Sequence, residues 1–253
     1  MFSIAIPSYK RPDTLNKKTL KALKEEGFLA NQITVFVANE EERKAYEEAL
    51  DPSLYGSIVV GRLGIAAQRS FITEHYPIGQ PILSIDDDIR KFKKLGPYHL
   101  PTLFQQAFDY CQTNAIPMWG LYPTHSTLFM KRRFKMGCFN IVGSCFGFLN
   151  TRVSIPCAVK VDYYLSFLLY RASKKLFRLD MVSVDTNYWH GSGGLNLTRT
   201  VEVEQEAANF LVRTFPEIVK DTYVKKNGRP DIHLRKIPSF YLPPDTLAET
   251  AAE

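Results

Sequence analysis

The chain has no C-x-x-C pair among its four cysteines, Cys111, Cys138, Cys145 and Cys157. That spacing argues against a zinc ribbon, and four thiols in 253 residues do not make a disulfide scaffold. Reduced, buried thiols are expected, as in a cytosolic protein. No apolar run approaches the ~20 residues a membrane-spanning helix needs, so no membrane partner is expected. The opening segment Met1 to Pro7 lacks a basic stretch and a cleavage site. It reads as a first strand and not as a signal peptide, and a soluble, cytoplasmic protein is the expectation. No G-x-G-x-x-G follows that strand and no P-loop occurs, which argues against dinucleotide and Walker-type sites. Internal repeats and low-complexity tracts are missing too.

What is present is an ordinary globular composition, 45% hydrophobic and 23% charged. The length suits one large domain or two small ones. The net charge of +6 favours a polyanionic partner such as nucleic acid, and equally describes a slightly basic enzyme. The aromatic share of 13% suits stacking on bases or a plain aromatic core.

Along the first half, strand and helix patterns alternate. Phe2 to Ile6 reads as a strand. Pro12 and Asp13 open a helix with Leu15, Thr19, Ala22 and Leu23 on one face, stopped by Gly27. Ile33 to Ala38 has the near-continuous apolar character of a buried parallel strand. A charged helix from Glu40 to Leu50, a strand at Ser57 to Val60 and a helix from Gly64 to Tyr76 follow. Pro81 to Ile85 is a fourth strand, and it runs directly into Asp86-Asp87-Asp88. Such alternation predicts an α/β fold with a doubly wound, Rossmann-like sheet.

The second half is less regular. A helix around Leu103 to Cys111, strands within Phe139 to Leu149, a helix from Tyr163 to Ser173, one strand over Leu176 to Val184 and a helix over Val201 to Thr214 are predicted. The segment from Pro238 onward is expected to be loose.

Three consecutive carboxylates at the end of a buried strand repel one another and raise each other's pKa unless a cation sits among them. Ligand sites of open α/β sheets gather at such strand ends. Hard oxygen donors there suit Mn²⁺ or Mg²⁺, and with it a diphosphate. A plain acidic cap on the following segment needs one Asp and not three.

Ile6-Pro7-Ser8-Tyr9-Lys10-Arg11-Pro12, the Gly64-Ile65-x-x-Gln68-Arg69 helix start and the strand ending in Asp86-Asp87-Asp88 together resemble the GT-A glycosyltransferases. More narrowly, the order of motifs over residues 1 to 235 resembles the TET-associated glycosyltransferases, a family found mostly in bacteriophages and related genomes. That resemblance implies a GT-A fold with a mixed sheet. It implies a nucleotide-sugar-binding half over residues 1–90, an acceptor and catalytic half over 91–240, and a loose tail over 241–253. Pro7, Ser8, Tyr9 and Arg11 would line the nucleotide pocket. Gly64, Gln68 and Arg69 would approach the nucleotide and its phosphates, and Asp86 and Asp87 would contact the donor. Asp86, Asp88 and His190 would hold the metal.

Val161-Asp162-Tyr163-Tyr164-Leu165-Ser166 is similar to the Glu-Asp-x-x-Leu-Ser motif that supplies the base in inverting members, with Val161 standing where the motif has Glu. Asp162 becomes the candidate base, and a helix cap is its plainer role. His190, beside Trp189 and Gly191, is the candidate late metal ligand or a packed aromatic.

The implied activity is transfer of a hexose or N-acetylhexosamine from a nucleotide-sugar, a UDP-sugar first, to 5-hydroxymethylcytosine in DNA. Basic runs at Lys131 to Lys135, Lys91 to Lys94 and Lys225 to Arg229 would suit phosphate contacts, with Phe129, Phe134 and Phe139 beside the first. Alternatives stay open. The acceptor is a protein, a glycan or a small molecule; or the chain is a nucleotidyltransferase, although it lacks a basic Gly-rich loop after strand one. A non-catalytic DNA-binding module is disfavoured by the acidic triplet.

Overall fold

β1 (Ser3–Pro7) sends Ile4 and Ile6 to one face and Ala5 to the other, the period of a strand covered on both sides. The computed structural model describes residues 1–124, 126–186 and 199–247. After β1 the chain opens a helix as α1 (Pro12–Leu15), with Pro12 in the first turn where its missing N–H costs nothing. The helix widens into a π-helical turn at Asn16–Leu20 and closes as α2 (Lys21–Glu25). Then come β2 (Ile33–Val37), α3 (Glu40–Ala49), β3 (Ser57–Val60), α4 (Ile65–His75) and β4 (Pro81–Ile85).

The second half supplies β5 (Lys91–Lys94), α5 (Leu100–Thr113), β6 (Met118–Leu121), β7 (Phe134–Gly137) and β8 (Cys145–Leu149). It continues with α6 (Val161–Ser173), β9 (Leu176–Leu179), β10 (Val182–Asp185) and α7 (Val201–Thr214). The hairpin of β11 (Val219–Val224) and β12 (Pro230–Leu234) precedes β13 (Ser239–Leu242).

Nine strands form one sheet in the order β13-β7-β9-β6-β8-β4-β1-β2-β3. β4, β1, β2 and β3 are parallel. β8 pairs antiparallel with β4, which makes the sheet mixed. The chain winds outward from β1 to β2 and β3, then returns to β4 on the other side. The winding therefore reverses between β1 and β4, and a crevice opens at their C-terminal ends. One buried cluster joins α1, α2, α3 and α5 to one face of the sheet. A second joins α4, α6 and α7 to the other face.

Three sequence expectations change. The stretch Leu176 to Val184 is two strands, because the chain turns at the buried Asp180, which Arg133 and Arg178 hold as an ion pair. β10 then leaves the main sheet and pairs with β5. Within Phe139 to Leu149 only Cys145–Leu149 is a strand; a Cβ at Gly147 would lie 2.2 Å from the Trp119 ring, so the glycine admits that indole. The segment from Pro238, expected loose, pairs as β13 with β7 and sends Leu247 into the first core cluster. Among the described residues no helix is long and apolar enough to cross a membrane.

Candidate active site

A cleft of about 670 Å³ opens at the crevice between β1 and β4. Pro7, Ser8, Tyr9, Arg11, Gly64, Gln68, Arg69, Asp86, Asp87, Asp88 and Asp162 all line it. His190 lies outside the described residues. The topology explains the convergence. Pro7 ends β1, Asp86 follows β4, and α4 starts at the mouth of β3 after Gly64, whose φ of +90° only glycine adopts freely.

The three aspartates face three directions. Asp86 receives an Arg69 Nη2 bond at 2.9 Å, and the same nitrogen donates to Gly143 O at 2.8 Å. Asp87 is buried and turned to the β1 side, accepting from Ser8 Oγ at 2.6 Å and from Arg11 Nη1 at 3.4 Å. Asp88 accepts from the Thr186 hydroxyl. Thr19, in the π-helical turn, donates to Asp86 O at 2.8 Å and accepts from Ile89 N at 2.9 Å, which fixes the backbone of the triplet from below.

Both oxygens of Asp87, which lines the cleft, are engaged by the loop after β1. Ser8 gives its one proton to Asp87, so Tyr46 donates to Ser8 Oγ, 2.7 Å away, and accepts from Arg11 N at 3.0 Å. Burial first, and then the nearby Asp87 and Glu42 charges, push the Tyr46 phenol up to about 12, against the pull of its hydrogen bonds. Tyr46 stays a neutral strut. Gln68 lines the cleft and also acts as a clamp: its amide donates to Val37 O at 2.9 Å and accepts from Arg62 N at 2.7 Å. It ties α4 to the ends of β2 and β3.

Asp162 stands in the first turn of α6 but does not cap it; Lys160 occupies the cap position in a left-handed conformation, φ +57°. Asp162 Oδ2 instead accepts from Gly143 N at 3.2 Å. Ser166, from the same motif, accepts from Ile141 N at 2.9 Å and donates to Asp162 O at 2.7 Å, pinning the 141–143 loop to the helix. A Cβ at Gly143 would lie 3.1 Å from both Arg69 Nη1 and Asp162 Cβ. A side chain there would press on both, so the glycine eases the close meeting of the arginine, the aspartate and the loop.

Although 36% of the Asp86 side chain is open to the cleft, burial pushes its carboxyl up to about 7. Arg69 pulls the other way, and Asp88, Asp87 and Asp162 add to the rise. Without a cation the folded chain keeps a proton that the unfolded chain loses near 3.8, so stability falls as pH rises from about 4 to about 7. A ligating Asp86 must shed that proton. Mn²⁺ titrated alone should bind roughly tenfold more weakly at pH 6 than at pH 8, as electron paramagnetic resonance of free Mn²⁺ would report. Equal affinity at the two pH values would remove Asp86 from the ligands.

Among the described residues no group of three or more His, Cys, Asp or Glu is placed to hold a metal ion. Asp86 and Asp88 supply two carboxylates, and a divalent cation would offset the repulsion from neighbouring carboxylates that adds to the burial-driven rise of Asp86. This donor set of hard oxygens fits Mn²⁺ or Mg²⁺ completed by diphosphate oxygens and water. Arg69 Nε and Asn140 Oδ1, at the same wall, are buried without a protein partner.

Beyond Asp162 the cleft has a basic wall that the sequence did not single out as a unit. Lys160 Nζ meets Glu204 Oε2 at 3.1 Å, Asp231 Oδ1 at 3.5 Å and Pro230 O at 3.0 Å. Arg199 and Arg229 also pair with Glu204, and Lys225 with Asp231. Burial alone would raise Glu204 and Asp231; hydrogen bonds from Arg199 and Lys225, with the Lys160 charge, outweigh it and hold both below the usual range. Lys160→Met should cost about 3 kcal/mol, because it strips a shared cation from two buried carboxylates. Urea unfolding would measure it, and a loss under 1 kcal/mol would show that the other cations suffice.

The densest basic run behaves otherwise. Arg133 pairs with Asp180 and covers the Tyr241 ring at 3.5 Å, and Phe134 and Phe139 are buried. β7, which carries Phe134 and Lys135, lies four strand spacings from β4, or ~19 Å.

No protein-family model matches the chain, and no curated protein matches it. Solved structures do. Mannosyl-3-phosphoglycerate synthase from Rubrobacter xylanophilus matches with a TM-score of 0.53 at 14% identity, over 98% of this chain and 90% of that one. Glucosyl-3-phosphoglycerate synthase from Mycobacterium tuberculosis, in complex with Mn²⁺, UDP and glucosyl-3-phosphoglycerate, gives 0.51 at 13%, over 98% and 91%. The chain has the GT-A fold. The mannosyltransferase PcManGT from Pyrobaculum calidifontis, in complex with GDP-Man and Mn²⁺, gives 0.50 at 12% identity, covering 85% of this chain and 63% of that one. In this GT-A fold the acidic triplet directly follows β4 and the candidate base stands in the first turn of α6.

Proposed function

We propose that the protein is a metal-dependent glycosyltransferase that takes a sugar from a nucleotide-sugar, in the first place a UDP-sugar. The observation that carries this reading is the juxtaposition in one cleft of Asp86 and Asp88, Arg69 and Asp162. The mannosyl- and glucosyl-transferring enzymes of like fold, crystallised with Mn²⁺ and UDP or GDP-Man, are consistent with it.

Asp86 and Asp88 would hold Mn²⁺ or Mg²⁺, with His190 as the further ligand we propose. When bound, the cation neutralises charge on the departing diphosphate. Arg69 adds a fixed positive charge beside Asp86. Pro7, Tyr9, Arg11 and Gly64 flank the nucleotide. Asp162 takes the proton of the acceptor hydroxyl as that oxygen attacks the anomeric carbon. A single side-chain base of this kind suits inversion.

For the acceptor we propose the hydroxymethyl group of a hydroxymethylpyrimidine in DNA. The motif resemblance, the net charge of +6 and the basic wall of the cleft support it. A small-molecule, glycan or protein acceptor is the second reading, favoured by the Lys131 to Lys135 run not being among the described residues that line the cleft. The deciding assay incubates the protein with Mn²⁺, a panel of nucleotide-sugars, and DNA with or without 5-hydroxymethylcytosine. Nucleoside mass spectrometry reads the product. A hexose or N-acetylhexosamine mass on the hydroxymethylated base alone is the expected result. Donor turnover with unmodified DNA would refute the DNA acceptor and keep the enzyme class.

A further inference from the structure

We infer that the wall of Lys160, Arg199, Lys225 and Arg229 seats a phosphate of the acceptor. The inference rests on the glycosyltransferase reading and adds to it the side of the cleft on which the acceptor's charge is read.

The charges of the cleft are divided in space. Among the described residues on the β1–β4 side, four carboxylates, Asp86, Asp87, Asp88 and Asp162, meet Arg11 and Arg69, while Arg62 is paired with Glu74, which leaves a formal surplus of two negative charges. Among the described residues on the far side, four cations meet two carboxylates, Glu204 and Asp231, a formal surplus of two positive charges. A diphosphate arriving with its divalent cation is drawn to the acidic side. An anion that brings no such cation is drawn to the basic wall.

The wall is also fixed against the base. Lys160 lies two residues before Asp162, and Asp231, which holds Lys160, also accepts from Tyr163 Oη at 3.4 Å. Whatever gives up its proton to Asp162 therefore presents its neighbouring groups to these cations. Glu204 and Asp231, both buried, set the positions of the cationic side chains before a ligand arrives, which lowers the ordering cost of binding. Arg199 stands just before α7, and Lys225 and Arg229 flank the turn of the β11–β12 hairpin, so three chain segments converge on one patch.

The test compares the full-length wild type with a Lys225→Gln/Arg229→Gln double variant and with Lys226→Gln. Lys226 is exposed on the same turn and does not line the cleft. A fluorescent short DNA duplex bearing 5-hydroxymethylcytosine is titrated by anisotropy at several salt concentrations. Calorimetry of UDP with Mn²⁺ runs in parallel and also certifies folding. The double variant should bind the duplex about tenfold or more weakly, with a salt slope reduced by about two. Lys226→Gln should stay within about twofold of wild type, and UDP affinity should hold in all three.

Inorganic phosphate serves as a second probe. Its binding to the wild type, lost in the double variant, would support the phosphate seat for a terminal phosphate, whereas displacement of the duplex by longer DNA alone would assign it to backbone phosphates. Equal binding of duplex and phosphate by wild type and double variant, or no binding of either by the wild type, would overturn the inference. A parallel fall in UDP affinity would overturn it too, by giving the wall to the donor. Failure of the wild type to bind UDP with Mn²⁺ would instead refute the enzyme reading on which it stands.

Discussion

Asp162→Asn should lower kcat by about three orders of magnitude while leaving the affinity for UDP with Mn²⁺ unchanged. The asparagine keeps an oxygen to accept from Gly143 N, so the loop that Asp162 holds stays in place. It loses only the capacity to take a proton. A structural role would show as weakened donor binding or a lowered melting temperature, and a catalytic one as a loss confined to turnover. Single-turnover transfer from a radiolabelled nucleotide-sugar separates the two. Full turnover in the variant would place the base elsewhere, and the surviving donor binding would keep the cleft assignment.

Asp88→Asn should weaken Mn²⁺-dependent UDP binding about 100-fold or more. Loss of a group that merely orients a ligand costs about 10- to 100-fold in metal affinity, and a direct ligand costs at least as much. Asp88 is oriented by the Thr186 hydroxyl and lies apart from the Ser8–Arg11 pair that engages Asp87. The matching Asp87→Asn variant should act differently. It should disturb the loop after β1 and lower stability, with a smaller effect on the metal. Calorimetry with and without Mn²⁺ reads both. Unchanged Mn²⁺-dependence in Asp88→Asn would leave Asp86 as the sole ligand of the pair.

The strands and helices that deliver the site were legible because their hydrophobic patterns are strong. Ile33 to Val37 and Pro81 to Ile85 are apolar on both faces, as strands buried on both faces must be. Tyr46, Thr19 and Lys160 were not legible as members of the site. Each lies far in sequence from what it holds: Tyr46 meets Ser8, Thr19 meets Asp86, and Lys160 meets Glu204 and Asp231. No local spacing encodes those meetings. The directions of the three aspartates were likewise set by the turn after β4 and by tertiary partners, which a triplet of identical letters does not distinguish. Val161 has a clearer account. Its side chain is buried in the second core cluster, so the residue that replaces the motif's Glu completes packing while Asp162 faces the loop.

The strand at Ser239–Leu242 bears on how the molecule can be handled. It covers β7 along Phe134 to Gly137, register by register, at one end of a nine-stranded sheet. A version shortened at Ile237 would keep every cleft residue and yet bare a row of N–H and C=O groups along β7. Such a row is a template for pairing with another chain. Shortening there would move the open border of the sheet from β13 to β7, with the chemistry of the cleft still intact.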